Sequence, residues 1–385
     1  MRPLGSSVKI LYVAPLRDFS GYASASRDYV RALDSIGAHV TTRDLIYDGG
    51  NYERDRRESE LANRAIDNVE ILIQQTTPNE MEPMPGVFNV GAFCWETDTI
   101  PQLWVQQLNK MQLVIVPTKE NAEVARRCGV ITPVEQIPYA CDVKKYKNKV
   151  DSYRFSQIDN RFKFLAICQY SKKKGLDPLL KAYLSEFNQD ENVALILKTY
   201  FSPNDGEAER DKMMEIVNII KHAMRLKSYP PIQLIHGVSS FEEIERLYET
   251  ADCYVLPSRG EGWGVPHFDA LGYGLPAIAT QGTGPLEFIT PECGWLVDSH
   301  MSPVVDMPHP HDFLYTAKEK WHEPHVCDIQ RCMRDAFNTY THRQEEWENK
   351  CVAAKTRVLD FSHEKVGATL IAAIDKYYRM WKDVS

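Results

Sequence analysis

The feature that most constrains this chain is an alternation of strand-like and helix-like runs that is completed once and then starts again. Residues 8–13 are apolar and strand-like, and a loop follows as far as Gly21. Ala25, Tyr29, Leu33 and Ile36 then recur at helical spacing, with Gly37 placed to end the helix. Strand character resumes at Val40 and returns at 69–73, 87–93 and 113–116. Residues 53–68, dense in mixed charge, read as a helix with a solvated face.

The pattern restarts at 162–168, with a helix over 177–187 and four further strands at 193–198, 232–236, 253–256 and 277–280. Parallel neighbours need a crossover that a helix supplies, so this order predicts α/β architecture with doubly wound parallel sheets. The blocks meet in the polar, basic stretch 142–159, read as a linker. The expected domains are therefore 1–150 and 151–360, with 361–385 as a helix crossing back to the first. That helix carries an apolar stripe of Val366, Leu370, Ala373, Ile374, Tyr377 and Trp381. A chain of 385 residues is long enough for two such cores.

Composition excludes several classes. With 43% hydrophobic and 25% charged residues the balance is globular. No apolar run approaches the roughly 20 residues of a membrane span, and the opening residues lack the apolar stretch of a signal peptide. Nine cysteines, never spaced as CxxC, read as reduced thiols in a cytoplasmic protein. A net charge of −8 argues against a molecule-wide nucleic-acid surface. Residues 143–175 run against that trend. They hold ten basic residues (Lys144, Lys145, Lys147, Lys149, Arg154, Arg161, Lys163, Lys172, Lys173 and Lys174) against Asp151 and Asp159. The segment is thus +8 and the remainder −16.

The stretch 257–276 carries the clearest chemistry, lying between the strand 253–256 and a helix. Gly260, Gly262 and Gly264 let backbone N–H groups approach a ligand, and a helix N-terminus behind them favours an anion. Glu261 and Asp269 flank the loop, and carboxylates accept hydrogen bonds from sugar or ribose hydroxyls. Amides for phosphate and carboxylates for hydroxyls suit a nucleotide sugar. A glycine-rich turn bearing ordinary surface acids is the other reading.

This stretch closely resembles the signature of the GT4-type retaining glycosyltransferases of GT-B fold, a pair of acids in a glycine- and proline-containing frame. Glu261 takes the first acid position, and Gly262, Trp263, Gly264 and Pro266 match the frame. Asp269, followed by Ala270, stands where the family has its second glutamate, with one methylene less of reach. Upstream, 164–176 resembles the family's strand and basic loop: Lys174 falls on the lysine that contacts the donor diphosphate, and Gln169 replaces an arginine. Lys172, Lys173 and Lys198 are candidates to restore that charge. Phe19, Ser20, Gly21, Tyr22 and Ala23 resemble the loop that closes over donor phosphates and acceptor. Residues 95–101 resemble a segment of one branch of the family, placing Glu96 where many relatives have a histidine near the donor sugar; a helix-start acid is the alternative. Pro117 and Thr118, then 137–142, 282–288 and 294–297, complete an ordered resemblance over about residues 8–300.

The resemblance implies two Rossmann-like domains facing an interdomain cleft, the first on the acceptor side and the second on the donor side. It implies retaining transfer from a nucleotide-diphosphate sugar to an acceptor hydroxyl, without cofactor or metal. Glu261, Lys174 and Glu96 are the expected catalytic residues. Gly21, Gln169, Lys174, Lys198, Glu261, Gly262, Trp263, Gly264, Val265 and Asp269 are expected around the nucleotide sugar. There is no DxD motif: Asp205 and Asp211 are isolated, and His309, His311, His322 and His325 read as loop residues. A sugar-nucleotide epimerase and a non-catalytic nucleotide-sugar binding protein are the rival readings. The acceptor stays open among glycan, lipid, small molecule and modified DNA, and oligomeric state is not legible. The basic segment 144–174 is either a polyanion-binding surface or a solvated linker beside a phosphate site.

Overall fold

The computed structural model describes residues 8–47, 52–148, 150–202, 205–305, 307 and 314–383. The chain divides into two units, Met1–Val143 with Leu359–Ser385 (unit 1) and Lys144–Val358 (unit 2).

Unit 1 holds β1 (Lys9–Ala14), β2 (His39–Asp44), β3 (Ile71–Gln75), β4 (Phe88–Ala92), β5 (Leu113–Val116) and β6 (Val134–Gln136). They form one parallel sheet in the order β2-β1-β3-β4-β5-β6. Its helices are α1 (Gly21–Ser35), α2 (Arg56–Ala62), α3 (Gln102–Leu108), α4 (Lys119–Arg127) and α11 (His363–Lys382). The Ser20 side chain caps α1 by accepting from the Ala23 amide. α11 packs against α1, and His363 Nε2 lies 2.8 Å from Asp28 Oδ1.

The helix expected over 53–68 is much shorter. An Asp55–Glu58 capping box starts α2, and Asn68, at φ 51°, turns the chain toward β3. Its charges are not simply solvated: Arg31 pairs with Glu58 at 3.0 Å and Arg57 with Asp34 at 2.7 Å, tying α2 to α1. Mixed charge here marks a helix–helix contact.

Unit 2 holds β7 (Phe162–Gln169), β8 (Val193–Tyr200), β9 (Ile232–His236), β10 (Cys253–Leu256), β11 (Ala277–Thr280) and β12 (Gly294–Val297), ordered β12-β11-β10-β7-β8-β9 and parallel throughout. Its helices are α5 (Leu176–Glu186), α6 (Glu207–Met224), α7 (Phe241–Thr250), α8 (Val265–Tyr273), α9 (Val326–His342) and α10 (Gln344–Val358). The sheet has six strands where the sequence reading counts five, because 294–297 pairs with β11. An antiparallel hairpin, β13 (Ser299–Pro303) with β14 (Lys320–Pro324), was also not foreseen. It makes His322 a strand residue, bonded through its amide to the Arg259 carbonyl at 3.0 Å.

The units part at Val143/Lys144 rather than at residue 150, since Lys145 and Tyr146 both bond to Asp269 of unit 2. The return falls at Leu359: the Cys141 amide donates to the Phe361 carbonyl at 2.8 Å, so entry and exit strands pair inside unit 1. No described helix is long and apolar enough to cross a membrane.

Each sheet reverses its strand order once, between β1 and β3 in unit 1 and between β7 and β10 in unit 2. Crossovers diverge to opposite faces at such a point and leave a crevice at the carboxyl ends, where open α/β sheets bind ligands.

Candidate active site

The unit 2 crevice is built from the exits of β7 and β10. After β7 the chain makes a single 3₁₀ turn, Lys172–Lys174, and Gly175 follows at φ 66°. A Cβ on Gly175 would stand 2.1 Å from the Pro257 carbonyl oxygen, so only glycine lets the lysine turn lie against the exit of β10. Arg259 fastens the turn from below. Its amide donates to Lys173 O at 2.7 Å and its Nη1 to Lys172 O at 2.6 Å. The guanidinium also forks onto Asp177 at 2.8 and 3.1 Å and reaches Glu323 at 2.8 Å. Burial would lower its pKa, but the bonds to Glu323 and Asp177 outweigh that and raise it.

So held, Lys174 Nζ donates to Glu261 Oε2 at 2.7 Å, with both side chains largely buried. Burial pushes the Glu261 carboxyl upward, yet Lys174 and the neighbouring His267 prevail and hold it below the usual carboxylate range. His267 is fully buried, and its Nε2 lies 2.9 Å from the Leu256 carbonyl oxygen. A carbonyl can only accept, so Nε2 carries the proton and Nδ1 is a bare acceptor, with no partner among the described residues. Burial drives this imidazole down to about 4, leaving it neutral. Gly264, at φ 93°, precedes α8; a Cβ there would press on Pro285 at 2.7 Å and His267 Nδ1 at 3.0 Å. The Gly284 amide donates to Glu261 O at 2.8 Å, so a second loop backs the first.

The remaining expected residues fall differently. Asp269 Oδ1 receives both Lys145 Nζ and Tyr146 Oη, each at 2.7 Å, which leaves Oδ2 for a further hydroxyl. Trp263 is not a stacking platform: its indole is buried against Phe268 and Phe288, with ring centroids 5.8 and 5.0 Å away. Gly262 is buried beside it, and Val265 opens α8. Gln169 Nε2 donates to Phe201 O at 2.9 Å. Lys198 is buried and its ammonium bonds the Gly237 carbonyl; burial lowers its pKa, against the opposing pull of Glu243 and Cys168. Burial also lifts the Cys168 thiol to about 12, against the pull of Lys174 and Lys198.

Gly21 and Glu96 belong to unit 1. Gly21 is the exposed first residue of α1, and Glu96 is half-buried in the loop after β4. That loop is held by Asn121, which donates to Trp95 O at 2.7 Å and accepts from Trp95 N at 3.1 Å.

Part of the basic segment is engaged within unit 2. Lys145 and Lys174 are committed to carboxylates, and Lys163 Nζ donates to Asp159 O and Arg161 O at 2.9 Å. Arg161 in turn reaches Gln189 O at 3.3 Å. Lys149, His309 and His311 lie outside the described residues. Among the described residues no group of three or more His, Cys, Asp or Glu could hold a metal ion. His325 instead shares a 2.9 Å contact with His300, and His322 one of 3.0 Å with Ser299 Oγ.

Sequence reasoning assigned no role to Arg259, His267, Lys145 or Tyr146, all of which shape this crevice. Only the first two lie within the motif stretch, where an arginine two residues before Glu261 was the available signal.

Residues 151–304 match the family model described as glycosyl transferases group 1. The D-inositol 3-phosphate glycosyltransferase of Corynebacterium diphtheriae is 21% identical over 252 residues, covering 65% of this chain and 49% of that protein. The match thus spans about half the length of that curated relative. Among solved structures, Anabaena HepE in complex with UDP and glucose aligns with a TM-score of 0.61 at 13% identity, over 96% of this chain and 100% of that one. Sucrose-phosphate synthase from Thermosynechococcus elongatus aligns at 0.63 and 15% identity, over 98% and 100%. At such identities the likeness speaks for the fold, which is the GT-B fold expected from the sequence.

Proposed function

From a chain whose residues 151–304 belong to the glycosyl transferases group 1, we propose transfer of a sugar from a nucleotide-diphosphate sugar to an acceptor hydroxyl, with retention at the anomeric carbon. The observation that carries this reading is the Lys174–Glu261 pair, 2.7 Å apart at the β7–β10 crevice beneath a glycine-rich loop. An ion pair with little exposure is a poor stabiliser, because desolvation offsets the attraction. A site that must hold a diphosphate and sugar hydroxyls together needs both signs of charge.

In the proposed reaction the bond between the anomeric carbon and the diphosphate oxygen breaks, and the diphosphate departs with its electron pair. The acceptor oxygen bonds to the anomeric carbon on the same face, and its proton passes to the departing phosphate oxygen. Lys174, the amides of 262–264 and the N-terminus of α8 stabilise the charge growing on the phosphate. These groups meet the diphosphate charge without a metal. Glu261 accepts from donor-sugar hydroxyls, and Asp269 Oδ2 accepts from a ribose hydroxyl. Unit 1 is assigned the acceptor. UDP sugars are the first donors to try, since the HepE structure holds UDP and glucose. Nine free cysteines fit a reducing, cytoplasmic setting.

The test is release of nucleoside diphosphate from a panel of nucleotide sugars, with and without acceptors. Acceptor-dependent release that disappears in Lys174→Met supports transfer. Isomerised donor without release would point to an epimerase, and binding without consumption to a non-catalytic sugar-nucleotide protein.

A further inference from the structure

We propose that the outer edge of β9 is a self-association surface, on which a second copy of this chain adds its own β9 antiparallel across a two-fold axis. The proposal concerns unit 2 alone and does not rest on the transfer reading.

The end strands of an open sheet carry unpaired backbone groups, a template on which another chain can pair. Three of the four ends are covered. At β2 the helix α2 packs against the strand, and Arg64 Nη1 donates to Val40 O at 2.7 Å. β6 is three residues long; Arg126 Nη2 donates to Val134 O at 2.6 Å, and α11 reaches Glu135 through Lys376 and Tyr377. β12 has α9 against it, with the Cys332 thiol 3.7 Å from Leu296 O. β9 is the exception. It ends the unit 2 sheet, and it is half-buried along its whole length, where β8, β10 and β11 are buried almost throughout. Its sequence, IQLIH, holds no proline, lysine, arginine or acid to discourage pairing.

The register shows which groups are offered. The Leu195 amide donates to Pro231 O and the Gly237 amide to Thr199 O, both at 3.1 Å, so the odd-numbered residues of β9 bond to β8. Ile232, Leu234 and His236 therefore turn their N–H and C=O groups outward. Among the described residues these outward groups have one contact, a long 3.4 Å approach of Gln233 Nε2 to Leu234 O.

This edge is complementary to itself. About a two-fold axis at Leu234, that residue exchanges both backbone bonds with its own copy, and Ile232 does the same with His236 of the second copy. The flanks match as well. Arg225 and Lys227, both exposed, stand before β9, and Glu242 and Glu243, also exposed, open α7 after it. Antiparallel pairing sets the basic end of each copy beside the acidic end of the other. It also brings the exposed Leu226 at one end toward the exposed Val238 and Phe241 at the other. Another partner would have to reproduce that order of charge; a second copy does so by symmetry.

Sedimentation velocity on the full chain tests this, with amide hydrogen exchange alongside. A two-chain species should form as concentration rises through the micromolar range, and protection of the 232–236 amides should rise with it. Leu234→Pro removes the central outward donor without touching the β8 ladder, at an edge position of the kind that tolerates proline, and should leave a monomer. Two charge reversals keep the test decisive if that variant fails to fold. Lys227→Glu and Glu242→Lys should each weaken association about tenfold, because symmetry repeats each reversal at both ends of the interface. An equimolar mixture of the two should recover most of the parent's affinity. A monomer at every concentration would overturn the proposal. So would association unchanged in both reversals and in a folded Leu234→Pro protein, which would place the contact elsewhere. Edge amides protected at every dilution would also overturn it, since a segment of the same chain would then cover β9.

Discussion

The two sheets reverse their strand order at one place each, and the crevices opened there are chemically opposite. In unit 2 the strand exits carry Lys174 and Glu261 in direct contact, a glycine loop of backbone amides above them and a buried neutral histidine beneath. In unit 1 the same kind of place carries an amide, phenols, a threonine and a carboxylate with one oxygen unpartnered among the described residues. The backbone rule decides where a ligand goes, and the side chains at the strand exits decide which ligand. The charged crevice also needs a buttress. Arg259, Asp177 and Glu323 hold the lysine turn in unit 2, whereas in unit 1 the residues at the crevice bond mainly to backbone carbonyls and to one another.

The sharpest way to break the comparison is to remove charge from unit 2 alone. Lys174→Met should lower donor turnover about 100- to 1000-fold, the loss typical of a group that stabilises transition-state charge. The Lys174→Met, Glu261→Gln double variant should be little worse than the first single change, because the two act as a unit. Turnover assays read both. Arg259→Ala should cost about 3 kcal/mol in urea unfolding, and Arg259→Lys should recover little of it, since an ammonium cannot fork onto two carboxylates.

His267 offers a pH test. Its folded pKa of about 4 lies below the ordinary 6.5, so between those values the unfolded chain binds the extra proton. Stability should be full above 6.5 and fall by about 3 kcal/mol as pH drops toward 4. His267→Gln should flatten that window in urea midpoints. The depressed Glu261 acts in the same sense but lower, its contribution being lost as pH falls below 4.5, its ordinary value. The smallest effect is expected from Tyr146→Phe, which removes one of two bonds on Asp269 Oδ1. It should weaken nucleoside diphosphate binding by about 1 kcal/mol, roughly fivefold by calorimetry.

Much of the fold was legible because most strands are short apolar runs bounded by polar or turn residues. The strands 113–116, 232–236, 253–256 and 277–280 stand where the pattern put them. β13 and β14 escaped because their sequences, SHMSP and KWHEP, alternate no apolar face. In the site, Glu261, Asp269 and Lys174 were readable from local spacing and family resemblance. Arg259 was visible as a residue, but its function rests on partners 82 and 64 residues away, and the clamp on Asp269 spans 123 and 124. Local periodicity carries no information about contacts of that range.

The pairing of Cys141 with Phe361 brings the two ends of the excursion through unit 2 together on the body of unit 1. Unit 2 is therefore a cassette, leaving and rejoining its host at Val143 and Leu359 through adjacent junctions. Recombination at those two points could exchange the whole 144–358 segment while the host sheet, its α1–α11 packing and its own crevice stay intact. Such an arrangement lets the two sheets and their crevices diversify separately, by swapping one module as a block and drifting point by point in the other.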